Sequence, residues 1–444
     1  MQLKPEARLK PESRSPKAAN TRRQLMAASC ALLGAAAARG GQPKMAPADS
    51  GLLEDWSVDS ALAYYHEDGR IQAIEPVVNV AKLFADGQAL NVNVTFDSLS
   101  GSSPNGALTS RSAQTFASPS GKSSHAYTTA PGQLPVDPNY QDDRIAVGAN
   151  WTMPLTRVDQ LSVGGKVSAE DDFFSITVDA SIAHDFNDKN TTLSFGINDE
   201  FDSLRPIGGA PVPGSDYALF EKTGNKTKNG VGVLLGVTQV VTRNWLFEFN
   251  LSVDRFKGYL NDPYKITSII DSAGNTTGYE FESRPDQRTR KSAYWENRVA
   301  LGRQISTGLA LRYMRDDWGV RSDTAQLHLR WSFSNLDRYV EPTFRWYRQT
   351  AANFYTPFIL STETRNTPYE ASDSRLGAFH ALTYGLKYAQ KLPGLGGREE
   401  SELSLRVEYY QQTFDERTAT PAALQGLDLY PGLKAVLVQV GWRF

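Results

Sequence analysis

The sequence predicts an all-β protein: a transmembrane antiparallel up-and-down β-barrel of about 16 strands, with long extracellular loops and short periplasmic turns. Three observations carry that expectation. Residues 433–444 alternate, with Val436, Val438, Val440, Trp442 and Phe444 on one face and Leu437, Gln439, Gly441 and Arg443 on the other. Beyond the amino-terminal leader no apolar run approaches the roughly 20 residues that a spanning helix needs. Finally, the connections between alternating segments sort into short and long by parity, which a soluble sandwich has no reason to do.

Composition agrees. A mean hydropathy of −0.42 and 22% charged residues look soluble, but a barrel's lumen face is polar and lowers the average. In hydrocarbon every backbone N–H and C=O needs an internal partner, and a closed barrel supplies one without an open edge. Aromatic residues at 11%, with 19 Tyr and 8 Trp, suit interfacial girdles. A net charge of −2 leaves no basic footprint for nucleic acid.

The chain begins with an expected signal peptide over 1–38. Arg22 and Arg23 precede the apolar, Ala-rich stretch 25–38, and cleavage is expected after Ala37 or Ala38. Thr21-Arg22-Arg23-Gln24-Leu25 also fits a twin-arginine signal, so the export route stays open. Cys30, the sole cysteine, lies in this leader, and the mature chain is expected to have no thiol. A periplasmic segment follows at 39–55, and the barrel is expected over 56–444.

Period-2 alternation between turn signals gives strands near 56–66, 71–84, 89–98, 144–152, 160–168, 173–184, 191–200, 229–241, 244–257, 291–304, 307–317, 322–334, 339–349, 378–390, 401–412 and 433–444. The even count puts both termini on one side. Short connections are expected at 85–88, 154–159, 185–190, 242–243, 305–306, 335–338 and 391–400, and long ones at 99–143, 201–228, 258–290, 350–377 and 413–432. Individual strands separate two solvents: Trp245, Phe247, Phe249, Leu251 and Val253 alternate with Leu246, Glu248, Asn250, Ser252 and Asp254. The same holds for Leu90, Val92, Val94 and Phe96 against Asn91, Asn93, Thr95 and Asp97, and for Leu327, Leu329, Trp331 and Phe333 against Gln326, His328, Arg330 and Ser332. Val440, Trp442 and the terminal Phe444 resemble the closing strand that bacterial outer-membrane barrels present to barrel-assembly machinery, which places the chain in a Gram-negative outer membrane with membrane lipid as a partner.

The loops carry a more specific pattern. Gly258-Tyr259-Leu260-Asn261-Asp262-Pro263-Tyr264-Lys265 is followed by Glu282-Ser283-Arg284-Pro285-Asp286-Gln287-Arg288-Thr289-Arg290. With 97–104, 168–173, 312–319, 345–355 and 373–376, these blocks resemble the signature of a bacterial outer-membrane family known as domain of unknown function 3570. Asn261 and Asp171 stand where Ser and Tyr are expected. The resemblance implies an outer-membrane protein without an established activity. It also implies gene neighbourhoods containing thioredoxin-like and flavin-transferring proteins, a hint of redox maturation or a secreted product.

By parity, these blocks fall at the extracellular rim. Candidate ligand-binding or rim residues are Asp262, Tyr264, Lys265, Arg284, Asp286, Arg288, Asp316, Asp317, Trp318, Arg345, Tyr347, Gln349 and Arg375. Each arginine offers a planar fork suited to carboxylate or phosphate. The competing reading pairs Arg284, Arg288, Arg290, Arg345, Arg348 and Arg375 with Asp97, Asp172, Asp262, Asp286, Asp316, Asp317 and Asp373, as ties that hold long loops in order.

No metal or other cofactor is expected. Glu170-Asp171-Asp172 and Asp316-Asp317 supply hard oxygens, but no twelve-residue calcium loop is present. His66, His125, His184, His328 and His380 are scattered, without zinc-ligand spacing. No Gly-x-Ser-x-Gly elbow occurs, and 394–398 lacks the Lys-Ser/Thr of a phosphate loop. The leading expectation is therefore not an enzyme but a channel, or a transport or secretion component for a small solute or exported product. Lys166, Glu248, Asp254, Arg298, Arg330 and Arg406 would set the selectivity of its lumen. The alternatives are a scaffold for an exported protein, including a redox-related one, and a rim-located enzyme.

Overall fold

A computed structural model describes residues 56–117, 126–362, 367–392, 401–415 and 421–444. The expected signal peptide with Cys30, the segment 39–55, His125 and 394–398 lie outside the described residues.

In chain order the strands begin with β1 (Trp56–Glu67), β2 (Ile71–Leu83) and β3 (Ala89–Pro104), then β4 (Gln114–Ala117) and β5 (Ala126–Thr129), which pair within one loop. β6 (Val136–Pro154), β7 (Asp159–Glu170), β8 (Phe173–Phe186) and β9 (Thr191–Leu204) follow, then the two-residue β10 (Ala210–Pro211) and β11 (Lys222–Thr223). Next come β12 (Lys226–Thr242) and β13 (Trp245–Gly258), with β14 (Ile266–Ile270) and β15 (Thr276–Phe281) in the loop after them. β16 (Gln287–Ala300), β17 (Ile305–Asp316), β18 (Arg321–Phe333) and β19 (Arg338–Gln349) precede a short β20 (Ile359–Leu360). β21 (Phe379–Lys391), β22 (Glu402–Phe414) and β23 (Leu433–Arg443) complete the chain.

Among the described residues, β4, β5, β10, β11, β14, β15 and β20 belong to loops, and the other sixteen strands close one antiparallel barrel in sequence order. The seam joins β1 to β23, with Asp59 opposite Arg443 and Glu67 opposite Ala435. Phe444 itself closes it: its carbonyl accepts from Val58 N at 2.8 Å and its amide donates to Val58 O at 2.9 Å. A barrel has no unpaired edge, so these backbone groups are satisfied without water.

The alternation seen in the sequence becomes an outside and an inside. Leu62, Val94, Ile197, Leu235, Leu251, Leu327 and Val407 are exposed on the outer surface. Their neighbours in sequence point into the lumen. A strand of about 12 residues at ~3.3 Å per residue, tilted by about 40°, covers the ~25 Å apolar band of a membrane. Trp56, Trp151, Trp245, Trp331 and Trp442, five of the eight tryptophans, sit near the short-turn ends of their strands, where an aromatic girdle belongs.

Two expected boundaries are corrected. The strand expected at 291–304 is β16 at Gln287–Ala300, and the turn expected at 305–306 lies at 301–304. Leu301 extends the apolar alternation by eye, but Gly302 adopts φ 131° and ends the strand. The expected 99–143 loop is shorter, because β3 runs to Pro104 and β6 starts at Val136. There the ladder shifts register between Gly101 and Ser103. Gly101 has φ 122°, and a Cβ on it would stand 2.5 Å from Arg70 O, so the shift needs glycine.

The barrel interior is not an apolar core. The buried apolar clusters gather instead at the long-loop end: Trp318, Val320, Phe354 and Leu376 in one, Phe116, Tyr127, Ile266 and Phe281 in another, Leu108, Ile270, Phe358 and Leu424 in a third, and Ile71, Leu99 and Tyr140 in a fourth.

Candidate functional site

Loops from distant hairpins meet over the mouth. The loop after β3 and the loop after β13 leave the barrel six strands apart, close to opposite sides of a ring of sixteen. They nevertheless touch: Ile266 N donates to Asn105 O at 3.0 Å, and Leu108 N to Ser268 Oγ at 2.9 Å. The loop after β22 joins them, since Ala423 N donates to Ala273 O at 2.8 Å and Arg111 donates to the carbonyls of Ala423 and Gln425. β20 from the loop after β19 pairs in parallel with β14. Contacts between opposite sides require these segments to cross the mouth, so the four loops form one cap.

A buried charge network ties the cap together. Arg375 is held by Asp373 and donates to Asp262 Oδ2 at 2.8 Å. Arg284 bridges Glu282 Oε2 at 2.7 Å and Asp373 Oδ2 at 2.8 Å. The Asp262 amide donates to Glu282, Arg284 N donates to Asn261 Oδ1 at 2.6 Å, and Lys265 Nζ donates to the Pro104 carbonyl. Asp262, Lys265, Glu282 and Asp373 are all buried, and buried charges persist only when paired and hydrogen-bonded.

Burial pushes the Glu282 carboxyl up to about 7, against the pull of Arg284. Burial also opposes ionisation of Asp373, but Arg375 and Arg284 outweigh it and hold that carboxyl far below the usual range. The Lys265 ammonium is lowered by burial despite Asp262 and Asp373. Tyr264 donates to Asp172 Oδ2 at 2.5 Å and accepts from Ile207 N, and burial followed by Asp172 raises its phenol.

The remaining rim candidates separate. Arg288 donates twice to Asp316 Oδ2, at 2.8 and 2.5 Å, and stacks 4.5 Å from the Trp318 ring centroid. Trp318 is buried and donates from its indole to Gln287 O at 2.7 Å. Asp317 turns the other way and accepts from Thr289 N, so the adjacent carboxylates Asp316 and Asp317 do not converge. Gln349 donates to the carbonyls of Arg375 and Gly377, and Tyr347 donates to Gln349. Asp286 is exposed at the mouth. Arg345 was expected at the rim and instead lies four residues inside β19, facing the lumen. Among the described residues no group of three His, Asp or Glu is arranged to hold a metal. At the opposite end Val440 is exposed outward, and the rings of Trp442 and Phe444 lie 4.5 Å apart.

The lumen walls differ in charge. By alternation with the exposed apolar residues, the half from β3 to β13 points Asp97, Asp142, Asp179, Glu200, Asp202, Glu248 and Asp254 inward, against Arg144, Lys166 and Lys228. The half from β16 to β23 carries the reverse excess. There a cavity of about 450 Å3 reaches from mid-barrel to the short-turn end, lined by Arg298, Arg312, Arg330, Arg345, Lys387, Arg406 and Arg443 with only Glu341 and Glu402 as lining carboxylates. Its room comes from β17, whose inward positions Ser306, Gly308 and Ala310 are small. The His328 ring lies over Gly308, where a Cβ would stand 2.2 Å from its Cε1.

Sequence reading found Arg298, Arg330 and Arg406 as lumen residues and missed Arg312, Tyr339, Glu341 and Lys387. Inward parity was available for all four. The register that brings seven strands, β16 to β19 and β21 to β23, to one cavity was not.

Apolar outside, charged inside and bridged at one mouth, the molecule has the build of a membrane-spanning β-barrel. The chain belongs to the family described as protein of unknown function DUF3570, whose model matches residues 22–444. This agrees with the resemblance in the loop blocks. No curated protein sequence matches the chain. Among solved structures it is similar to OccK2 (OpdF) of Pseudomonas aeruginosa, at 12% identity over 89% of this chain and 99% of that one, with a TM-score of 0.39. It is similar also to a bacterial polysaccharide outer membrane secretin, at 8% identity over 88% and 98% with a TM-score of 0.42. OpdK of the same Pseudomonas, solved with vanillate, aligns at 10% identity over 89% and 100%, with a TM-score of 0.40. Likenesses this distant bear on neither site nor function.

Proposed function

We propose that this chain is a non-enzymatic outer-membrane channel, or a transport or secretion component, for a small solute or exported product. The long-loop end lies outside the cell and the short turns face the periplasm, with Val440, Trp442 and Phe444 read by the barrel-assembly machinery. The observation that carries the reading is the lumen: its inward positions are charged, its two walls bear opposite excess charge, and a wide polar cavity reaches the short-turn end. A barrel serving only as an anchor has no use for such an interior, whereas charged walls set the selectivity of a water-filled pore. The cap then acts as a constriction over the outer mouth.

The test is single-channel conductance of the refolded mature chain in planar bilayers, beside a variant in which 259–286 is replaced by a short Gly-Ser turn. A heat-modifiable gel shift first establishes that both are folded. Steady conductance in the intact chain supports an open channel. Conductance in the variant alone supports a capped one. Silence in both folded proteins overturns the channel reading and leaves a scaffold that docks its partner on the cap.

A further inference from the structure

The cavity is lined by more cations than carboxylates. Four of its seven are paired with carboxylates: Arg298 with Glu296 at 2.9 Å, Arg330 with Glu341 at 2.8 Å, Arg406 with Glu408 at 3.2 Å, and Arg443 with Asp59. Arg312, Arg345 and Lys387 make no ion pair within 4 Å among the described residues, and each lies against a tyrosine, with Glu341 opposite Lys387 in the ladder, Glu402 also near Lys387, and Glu408 near Arg345. Arg312 is 5.5 Å from the Tyr294 ring centroid, Arg345 5.9 Å from Tyr347, and Lys387 5.5 Å from Tyr339. Those rings are themselves held by hydroxyl hydrogen bonds, from Tyr294 to Glu296, Tyr347 to Gln349 and Tyr339 to Glu402.

A tyrosine face orients a cation without using its N–H donors. The three cations therefore keep donors for the space they line together, from β17, β19 and β21. Arg345 and Lys387 are half-buried and Arg312 is exposed, and like charges lining one space repel until an anion joins them. The cavity volume of about 450 Å3 is within the range of small-molecule sites.

We propose that this cavity is a binding site for a small dianion carrying carboxylate or phosphate groups, held by Arg312, Arg345 and Lys387. Naming the ligand as the transported solute rests on the channel reading above, whereas binding itself does not.

The experiment titrates succinate and, separately, inorganic phosphate into the detergent-solubilised mature chain by calorimetry, with the variants R345Q, K387Q and R345K. A parallel bilayer measurement reads the reversal potential in a KCl gradient. Saturable binding is expected in the wild-type chain, weakened at least about tenfold in each neutral variant, as loss of a hydrogen bond to a charged group implies, and partly restored in R345K. Preference for succinate or for phosphate assigns the headgroup. An anion-selective current is expected to shift toward cations in the R345Q/K387Q double variant. No saturable binding in the folded wild-type chain, or equal binding in all variants, overturns the site. Binding with no conductance in either the intact chain or the 259–286 variant sustains the site and sinks the channel reading, while conductance without binding does the reverse.

Discussion

Arg375 is half-buried, but the carboxylates it holds are shut off from solvent. It neutralises Asp373 and Asp262 in the cap, the latter 113 residues away in the chain. Removing it strands the buried Asp262 and leaves Asp373 to Arg284 alone, and breaking such a buried pair costs about 3–5 kcal/mol. Arg375→Gln is expected to raise hydrogen exchange across 262–283 while leaving the heat-modifiable barrel intact; unchanged exchange would contradict the network. Glu282 gives the cap a pH dependence. Its folded-state value is raised by burial to about 7, above the ordinary value near 4.5, so its contribution to cap stability is full below about pH 4.5 and declines as pH rises toward 7. Asp373 acts in the opposite sense, with stability lost only as pH falls below its ordinary range. Between these limits cap protection should increase on acidification from pH 8 to pH 5, and Glu282→Gln should flatten that profile. A wild-type profile with no slope in this window would refute the assignment. Asp262, Arg284 and Arg375 were legible in the sequence as candidates and Asp373 as a pairing carboxylate, while Glu282 stood only within a loop motif. Who pairs with whom was not legible, because Arg284 and Asp373 are separated by 89 residues and no local spacing encodes that distance.

A strand carries its information in alternation, which is why the barrel was readable. All sixteen staves fall where period-2 patterning expects them, with the shift in β16 traced to one glycine turn. The short loop strands escaped, since two to six residues hold no period. The alternation also has an energetic consequence. Leu251 faces outward at the middle of β13 and Asn250 faces the lumen. Leu251→Lys is expected to destabilise the barrel in lipid vesicles by about 2–4 kcal/mol, the cost of lysine at the midplane of a membrane barrel. Asn250→Lys is expected to cost much less, because water reaches that face. Equal effects in urea unfolding would mean that the two faces have been assigned wrongly. The lumen cavity follows from a subtler element-scale property, three consecutive small inward residues on β17. Parity exposes that row once it is sought, but only the register shows that Arg345 and Lys387 look into the space it leaves.

For the whole molecule, the long loops close over one mouth of the barrel. Apolar clusters and buried ion pairs are concentrated there, so the cap is a folded layer and not a fringe of loose connections. If the cap constricts the channel, pairing Arg375→Gln with conductance recording should raise the open probability of single channels without changing their charge selectivity, because the cavity cations lie below it. Unaltered gating in a variant whose cap exchange has increased would separate the cap from conduction.

The same cap also records the order of assembly. Lys265 reaches the Pro104 carbonyl across 161 residues of chain, and contacts so far apart in sequence form only after the intervening loop has been closed by other structure. The contacts of Asn105 and Leu108 with the loop after β13 are expected to form only once the strands between them have curved round. Protease resistance of the cap should therefore appear after β1 and β23 have met, and it would serve as a timestamp for ring closure in a refolding reaction.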